Sequence, residues 1–449
     1  MDLKIVGKSG LQGEVQIPAD KSITHRSIMF ASLSGGKTTI DAPGAGADND
    51  STAELFRSLG VSIERQPNGW VVQGVGLGGL QESDNVIDCG NSGTTIRLVS
   101  GILAGSGLNA TLTGDESLCK RPMARVCDPL RAMGARIQGE MQDGKELPPM
   151  VIEPAKLSGG EWTQGVASAQ VKSALLFAGL LSGQEVTVHE PTVSRDHTEQ
   201  MLQGMGISVK RVEDASGHHV TLAKDARDHF KGFEDGALFR VPGDISSAAF
   251  WMVLGLIVPD SKLSLRNVGL NPSRTGVLDA VESFGVTLDV EMLDSPGGEA
   301  MGNVEVGAFN WKEPCEDVVI GGAVIPRLID ELVVLGALAA RYPGQTTVED
   351  AKELRVKESD RVVETVRILR AFGVEADERP DGFVVQGGKP MHGATLDVSS
   401  DHRVAMTAAV LACAAEGESI LRGFDVAGVS YPDFVDVLRG LGATVEELA

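Results

Sequence analysis

The chain of 449 residues exceeds one ordinary domain, and at about 150 residues per domain it predicts two to four. A net charge of −22 repels polyanions and 4% aromatic residues offer no stacking platform for bases, so neither composition nor charge suits a nucleic-acid binder. Five scattered cysteines (Cys89, Cys119, Cys127, Cys315, Cys413) without Cys-x-x-Cys spacing indicate neither a disulfide framework nor a zinc site. With no leader pattern and no uncharged run near the roughly 18 residues of a membrane span, they predict a soluble protein in a reducing cytoplasm, bound to no membrane.

After a first strand at Leu3 to Lys8, one pattern recurs six times at a spacing of about 70 to 90 residues. It consists of a short strand, a polar turn, an apolar helix, a second strand, a second helix and two further strands. The first copy begins at Val15-Gln-Ile-Pro18, and its helix opens with Lys21, Ser22 and Arg26. The second runs from Val86-Ile-Asp-Cys-Gly90 into Asn91, Ser92, Gly93, Thr94 and Arg97; the third from Trp162 to Val166 into Ser168, Gln170 and Lys172. Phe239-Arg-Val-Pro242 leads the fourth into Asp244, Ser246 and Ser247, and Val318 to Ile320 leads the fifth into Pro326, Arg327, Asp330 and Glu331. The sixth goes from Thr395-Leu-Asp-Val398 into Ser399, Asp401, His402 and Arg403, and stops at Ala449 one strand short. Each second helix closes with an apolar residue and Gly (Leu59-Gly60, Met133-Gly134, Met205-Gly206, Phe284-Gly285, Phe372-Gly373, Leu441-Gly442), the signature of a left-handed C-cap.

Six β-α-β-α-β-β units grouped three and three give an α/β fold of two similar domains. The expected ranges are 1–13 with 239–449, and 14–238, the first strand supplying the one the sixth copy lacks. Ordinary strand-helix alternation can mimic a repeat, but the terminal deficit favours a real one.

The polar clusters fall at equivalent helix starts, where free N–H groups and the helix dipole favour anions; each cluster taken alone reads first as a cap or a solvated turn, and it is their recurrence in register that points to a site. Lys120-Arg121 and Ser194-Arg195-Asp196-His197 add further basic groups. The run Glu353 to Arg361 packs three cations and three anions around three uncharged residues. If it is helical, Lys357 and Arg361 stand four apart, a like-charge conflict that calls for an anion between them. Gly35-Gly36-Lys37-Thr38-Thr39 is no nucleotide-binding loop, because Ala31 stands where that motif needs Gly and the Lys begins a strand.

Lys21-Ser22-x-x-x-Arg26, Gly90-Asn91-Ser92-Gly93-Thr94-x-x-Arg97, Lys120-Arg121-Pro122, Ser168-x-Gln170, Asp330-Glu331, Arg355-Val-Lys357-Glu358-Ser-Asp360-Arg361 and Asp401-His402-Arg403 together resemble the enolpyruvyl transferases, essentially end to end. They are most similar to the branch acting on shikimate 3-phosphate. The resemblance implies two inside-out α/β domains of three repeats each that close over the substrates. It implies transfer of the enolpyruvyl group of phosphoenolpyruvate to the 5-hydroxyl of shikimate 3-phosphate through a tetrahedral intermediate, with phosphate released. No metal or organic cofactor is implied, the partners being these two small molecules and the chain a monomer.

Such chemistry needs a base, an acid and cations on phosphate and carboxylate. By motif position the resemblance makes Asp330 the hydroxyl base, also in contact with shikimate 3-phosphate, Glu358 the group moving the proton at the methylene carbon, and Lys21 the bridge at the reacting centre. Phosphoenolpyruvate would be held by Lys21, Arg121, Arg361 and Arg403, in a pocket lined by Asn91, Gly93 and Gln170. Shikimate 3-phosphate would meet Ser168, Ala169, Gln170, Ser194 and Arg195 at its phosphate and ring, and Ser22, Arg26 and Lys357 at its carboxylate and hydroxyls.

Val429 stands where many members carry Lys, and Ala169 where they carry Ser. With Lys172, Arg195 and Asp196-His197 these departures resemble bacterial members noted for glyphosate tolerance, while Gly93 is retained; intermediate sensitivity is expected. The sister branch acting on a UDP-amino sugar typically has Lys-Asn at the first helix and a Cys several residues before Arg-Pro, whereas here Ser22 follows Lys21 and Cys119 lies two before Arg121. A non-catalytic anion-binding repeat protein would not need Asp330 and Glu358 beside the cations.

Overall fold

The computed structural model describes residues 1–214, 217–294, 298–311 and 315–448. Its strands form six four-stranded sheets on one plan. In each, a leading strand pairs parallel with the next, which pairs antiparallel with the inner strand of a hairpin, as in Gly160–Thr163, Val186–Glu190, Gly217–Leu222 and Val209–Asp214. In the sixth sheet the place left open after Thr444–Leu448 is taken by Asp2–Val6, with Leu3 opposite Leu421 and Ile5 opposite Val445.

The chain divides into two compact units, Met1–Pro18 with Gly243–Asp294 and Ala300–Ala449, and Ala19–Pro242 with Ser295–Glu299. These bounds differ from the expected 13/14 and 238/239, and the reason is a strand exchange. Gln12–Gln16 leads into the helix Lys21–Leu33 in sequence but pairs parallel with Lys262–Gly269, Val15 opposite Leu265. Ala237–Arg240 pairs parallel with Gly35–Asp41, Phe239 opposite Ile40. The chain therefore passes from one unit to the other after each leading strand, at Pro18 and Pro242, and not before it.

Each unit has its own core. In one unit it is built on the helices Lys21–Leu33, Gly93–Ser106 and Ala169–Ser182, in the other on Ile245–Ile257, Leu332–Arg341 and His402–Ala414. Every residue of Ile245–Ile257 is buried, as are Leu332 to Ala340. Helices apolar all round belong inside, and the sheets, which bury mainly one face, are left to cover them. Packing inside is tight enough to require glycine: a Cβ on Gly101 would lie 2.0 Å from the carbonyl oxygen of Ala174, and one on Gly105 2.7 Å from that of Ala178. This places the polar residues at the helix starts where chain leaves the core. Several are caps: Asp20 accepts from the Ile23 amide (2.9 Å), Ser92 from Thr95 (3.1 Å), Asp244 from Ser246 (2.9 Å) and Asp401 from Arg403 (2.8 Å).

The fifth helix does not run on from Pro326. It breaks into Ile325–Leu328 and Leu332–Arg341, with Asp330 in the break. Among the described residues no helix is long and apolar enough to cross a membrane, and no group of three or more His, Cys, Asp or Glu is arranged to hold a metal ion.

Candidate active site

The candidate residues fall into two sets, one in each unit. In the unit built on Lys21–Leu33, the half-exposed Lys21 ammonium pairs with Asp48 and its carbonyl accepts from Asn49 Nδ2 at 3.0 Å. Ser22 is partly buried, and its carbonyl accepts from Arg26 Nη1 at 2.9 Å. Arg26 itself is buried, donating to Thr198 Oγ1 (2.7 Å) and Ser173 Oγ (2.8 Å). Burial pushes its guanidinium down to about 10, with Glu199 opposing.

At the next helix start, Asn91 and Gln170 are used as connectors. Asn91 donates to Asp115 Oδ2 and accepts from Arg121 Nη2, both at 2.7 Å. Gln170 accepts from Arg97 Nη1 at 2.7 Å and donates to Thr94 Oγ1 at 3.1 Å. Gly93 sits among these groups: a Cβ there would lie 3.0 Å from Arg97 Nη1 and 3.2 Å from Arg121 Nη1. Arg97 is pushed down to about 10 by burial and by the charges of Arg125 and Arg121. Arg125 thus extends the cationic cluster expected from Arg97 and Arg121, and the signal for it was present in Arg121-Pro-Met-Ala-Arg125.

Ser168 caps its helix weakly, 3.5 Å from the Val171 amide, and its own amide donates to Gln164 Oε1 at 2.5 Å. Ala169 is the first residue of that helix. Ser194 donates its hydroxyl to Glu190, and Arg195 follows it in a segment without regular structure. Lys172 is buried with its ammonium on Glu190 and Glu199, each at 2.8 Å. Sequence reading took it as one more basic residue of the cluster, and a lone Lys in the apolar run Val171 to Leu181 was the sign of a buried ion pair.

The other unit brings Asp330, Lys357, Glu358, Arg361 and Arg403 together. The run Glu353 to Arg361 is not a helix. A 3-10 turn covers Lys352–Val356, Lys357 is extended, and the helix Arg361–Ala371 begins only after Asp360, which caps it at the Val362 and Val363 amides. Lys357 and Arg361 therefore do not stack four apart on one helix. They meet at Asp330, whose Oδ1 lies 3.6 Å from Lys357 Nζ and 3.2 Å from Arg361 Nη1.

Arg361 is 1% exposed and also pairs with Asp401 through Nε at 2.8 Å and with Glu358 through Nη2 at 2.7 Å. Burial lowers the Arg361 value, but the hydrogen bond and charge of Asp401 outweigh it and hold it above the ordinary value. Glu358 is 56% exposed, the accessible member of the set. Arg403 donates Nη1 to the Asp330 carbonyl at 3.2 Å. Beside it His402 is pushed down to about 4 by burial and by the Arg403 charge, Asp401 opposing.

Two residues expected at helix starts, Ser246 and Arg327, are engaged by protein partners. Ser246 Oγ donates to Glu331 and accepts from Arg274 Nη2 (2.7 Å), which also reaches Asp244 Oδ1 at 3.2 Å, so these groups form a buried network. Burial raises Glu331 above the carboxylate range against the pull of Arg274. Arg327 is engaged with Asp279 at 2.5 Å and the Pro272 carbonyl at 2.8 Å. Val429 is exposed, before a buried Tyr431 whose hydroxyl accepts from Trp251 Nε1 at 3.2 Å.

The family model for EPSP synthase (3-phosphoshikimate 1-carboxyvinyltransferase) matches residues 5–438. A 3-phosphoshikimate 1-carboxyvinyltransferase of Synechococcus sp. (strain JA-3-3Ab) is 46% identical over 434 residues, 96% of this chain and 95% of that protein. One of Bacillus cereus (strain B4264) is 43% identical over 436 residues, 96% of this chain and 97% of its own length. Among solved structures, EPSP synthase from Acinetobacter baumannii superposes with a TM-score of 0.88 at 35% identity, covering 99% of this chain and 100% of that one. An enolpyruvyl transferase from Streptomyces tendae, 17% identical with a TM-score of 0.73 and covering 99% and 98%, shares the fold.

Proposed function

The chain belongs to the EPSP synthase family, a 3-phosphoshikimate 1-carboxyvinyltransferase, and we propose the parts its residues take in that reaction. The enzyme transfers the enolpyruvyl group of phosphoenolpyruvate to the 5-hydroxyl of shikimate 3-phosphate and releases phosphate, a step of the shikimate pathway to aromatic amino acids. In the addition, Asp330 takes the proton of the 5-hydroxyl as its oxygen bonds to C2 of phosphoenolpyruvate, while Glu358 delivers a proton to the methylene carbon. In the elimination, the C2–O bond to phosphate breaks, Glu358 recovers a proton from the methyl group and the proton held by Asp330 leaves with the phosphate, so both the acid and the base are regenerated. Lys21 bridges the reacting oxygens. Arg121, Arg361 and Arg403 hold phosphoenolpyruvate against Asn91, Gly93 and Gln170. Ser22, Arg26, Ser168, Ala169, Gln170, Arg195 and Lys357 hold shikimate 3-phosphate, with Ser194, whose hydroxyl is engaged by Glu190, beside them.

The observation that supports these roles best is the grouping of Asp330 and Glu358 on one cation, Arg361. Asp330 is mostly buried and fixed by Lys357 and Arg361, as suits a positioned base, and Glu358 is exposed enough to exchange protons with substrate and water. Five scattered cysteines without Cys-x-x-Cys spacing support a cytoplasmic location, and glyphosate, an anion competing for the phosphoenolpyruvate pocket, is proposed to inhibit at intermediate concentration. The test is phosphate release from phosphoenolpyruvate with shikimate 3-phosphate and, separately, with the UDP-amino sugar. Turnover is expected with the first only, and activity with neither overturns the reading.

A further inference from the structure

The segment from Pro191 to Asp196 carries Ser194 and Arg195, both expected from the sequence to meet shikimate 3-phosphate, yet it has no regular secondary structure to hold them. What lies against it is buried charge. Lys172 Nζ lies 2.8 Å from Glu190 Oε2, 2.8 Å from Glu199 Oε1 and 3.4 Å from the Ser194 carbonyl. Of the ammonium's three N–H donors, two hydrogen-bond Glu190 and the Ser194 carbonyl, and Glu199 faces it as an ion pair. Glu190 divides its two oxygens, Oε2 taking Lys172 and Oε1 the Ser194 hydroxyl. Ser194 is therefore gripped twice, at its carbonyl by Lys172 and at its hydroxyl by Glu190.

All three charged side chains are only 1% exposed. Burial alone would strip the Lys172 charge, but Glu199 and Glu190 outweigh it and raise the ammonium above its ordinary value. One cation among two carboxylates leaves a negative excess, and Arg26, whose own value Glu199 raises against burial, offsets it from the first helix. Arg26 reaches the same element by its bond to Thr198 at 2.7 Å. Lys172 stands one turn after Ser168 on the helix that also carries Ala169 and Gln170. The candidate phosphate contacts on the helix and on the loop are thus fixed to one buried ammonium.

The Ser194 hydroxyl has a single proton, and it is engaged by Glu190. Toward a phosphate dianion the hydroxyl presents lone pairs, which repel it. In this arrangement Ser194 serves as the anchor of the loop, and Arg195 is the residue there suited to bind phosphate.

We propose that Lys172, Glu190 and Glu199 are positioning residues for shikimate 3-phosphate, a buried tripod that sets the Ser194–Arg195 segment for the substrate's phosphate. This rests on the reading of Arg195 as a phosphate contact. The test is steady-state kinetics of the full chain, varying each substrate in turn, for Glu190→Gln, which removes the charge beside Lys172 and leaves one acceptor oxygen where Lys172 and Ser194 use two, and for the milder Glu190→Asp, which keeps the charge but withdraws the carboxylate from Ser194. Both are expected to raise KM for shikimate 3-phosphate, about tenfold for Gln and less for Asp, with KM for phosphoenolpyruvate within about twofold of native. A merely structural role would lower the melting temperature and leave that split absent. Arg195→Ala is the control. If it raises KM for shikimate 3-phosphate while Glu190→Asp, and Glu190→Gln where it folds, do not, the tripod is overturned; if Arg195→Ala changes nothing, the reading of the loop itself fails.

Discussion

Asp401 is the group whose loss should be felt most sharply around Arg361. It receives Arg361 Nε at 2.8 Å and Nη2 at 3.4 Å, accepts from Ser359 Oγ at 3.1 Å, and caps the helix His402–Ala414 at the Arg403 amide. Burial would raise its pKa, yet the hydrogen bond and charge of Arg361 hold it below the usual carboxylate range. Asp401→Asn keeps the shape and the cap but removes the charge facing a guanidinium that is 1% exposed. Breaking a buried pair on one side costs about 3 to 5 kcal/mol when nothing else compensates. Arg361 retains Asp330 at 3.2 Å and the half-exposed Glu358 at 2.7 Å, so about 2 to 3 kcal/mol is expected.

Because the chain has two units, a single unfolding transition is not assured, and amide hydrogen exchange within His402–Ala414 is the suitable measurement. Protection there should fall roughly 30- to 150-fold. Asp401→Ala, which also loses the cap, should cost about 1 kcal/mol more. A fall in protection of less than threefold for Asp401→Asn would refute the claim that Asp401 neutralises Arg361.

Glu358→Gln should leave KM for both substrates within a few-fold and lower kcat at least about a hundredfold, because the amide keeps the shape and loses the proton; weakened binding with normal turnover would contradict its role. Gly93→Ala puts a methyl 3.0 Å from Arg97 Nη1 and 3.2 Å from Arg121 Nη1, ends of side chains that can give way, so folding should survive while KM for phosphoenolpyruvate rises several-fold and glyphosate inhibition weakens more. Unchanged inhibition would remove Gly93 from the pocket. His402, pushed down to about 4, and His25, pushed well below 6.5 by burial and then by Lys21, are neutral when folded, whereas unfolded rings take up protons near 6.5. The unfolded state thus binds more protons between about pH 6.5 and 4, and stability should fall as pH drops through that window, by at most about 1.4 kcal/mol per unit per ring. His402→Asn should flatten the slope measured by denaturation from pH 7.5 to 5, and an unaltered slope would show that His402 does not contribute.

The core helices were legible because each is announced locally, by a polar turn and then an apolar run too continuous for a surface helix, as in Asp244 followed by Ile245–Ile257. The missing sixth strand was legible for a similar reason, being a deficit that one segment could fill. The exchange of Gln12–Gln16 and Ala237–Arg240 was not, since parallel pairing over some two hundred residues leaves no mark in local spacing. Val15 opposite Leu265 and Phe239 opposite Ile40 are apolar pairs that the unexchanged arrangement would satisfy equally well. Asp330, Glu358 and Arg361 stood out as motif residues. Their mutual distances did not, because Lys357 and Arg361 are brought together by Asp330 from another segment and not by helical spacing.

That difference changes where an anion should be favoured. Helix starts alone suggested positive charge at every copy, but the cations around Asp330 are matched by carboxylates. Lys357 meets Glu353 at 2.8 Å as well as Asp330, Arg361 meets Asp330, Glu358 and Asp401, and Arg355 meets Asp360 at 2.8 Å. Around Gly93 the balance is the opposite. Arg97 and Arg121 direct their hydrogen bonds to the amide oxygens of Gln170 and Asn91, groups without charge, and Arg97 is pushed down to about 10 by burial and by its neighbours Arg125 and Arg121. A carboxylate or phosphate beside those arginines relieves repulsion among cations, whereas one beside Arg361 must share it with acids already present. Under the proposed roles, charge neutralisation of phosphoenolpyruvate would fall chiefly to the arginines around Gly93, with Arg361 and Arg403 adding less, and would leave Asp330 and Glu358 for moving protons.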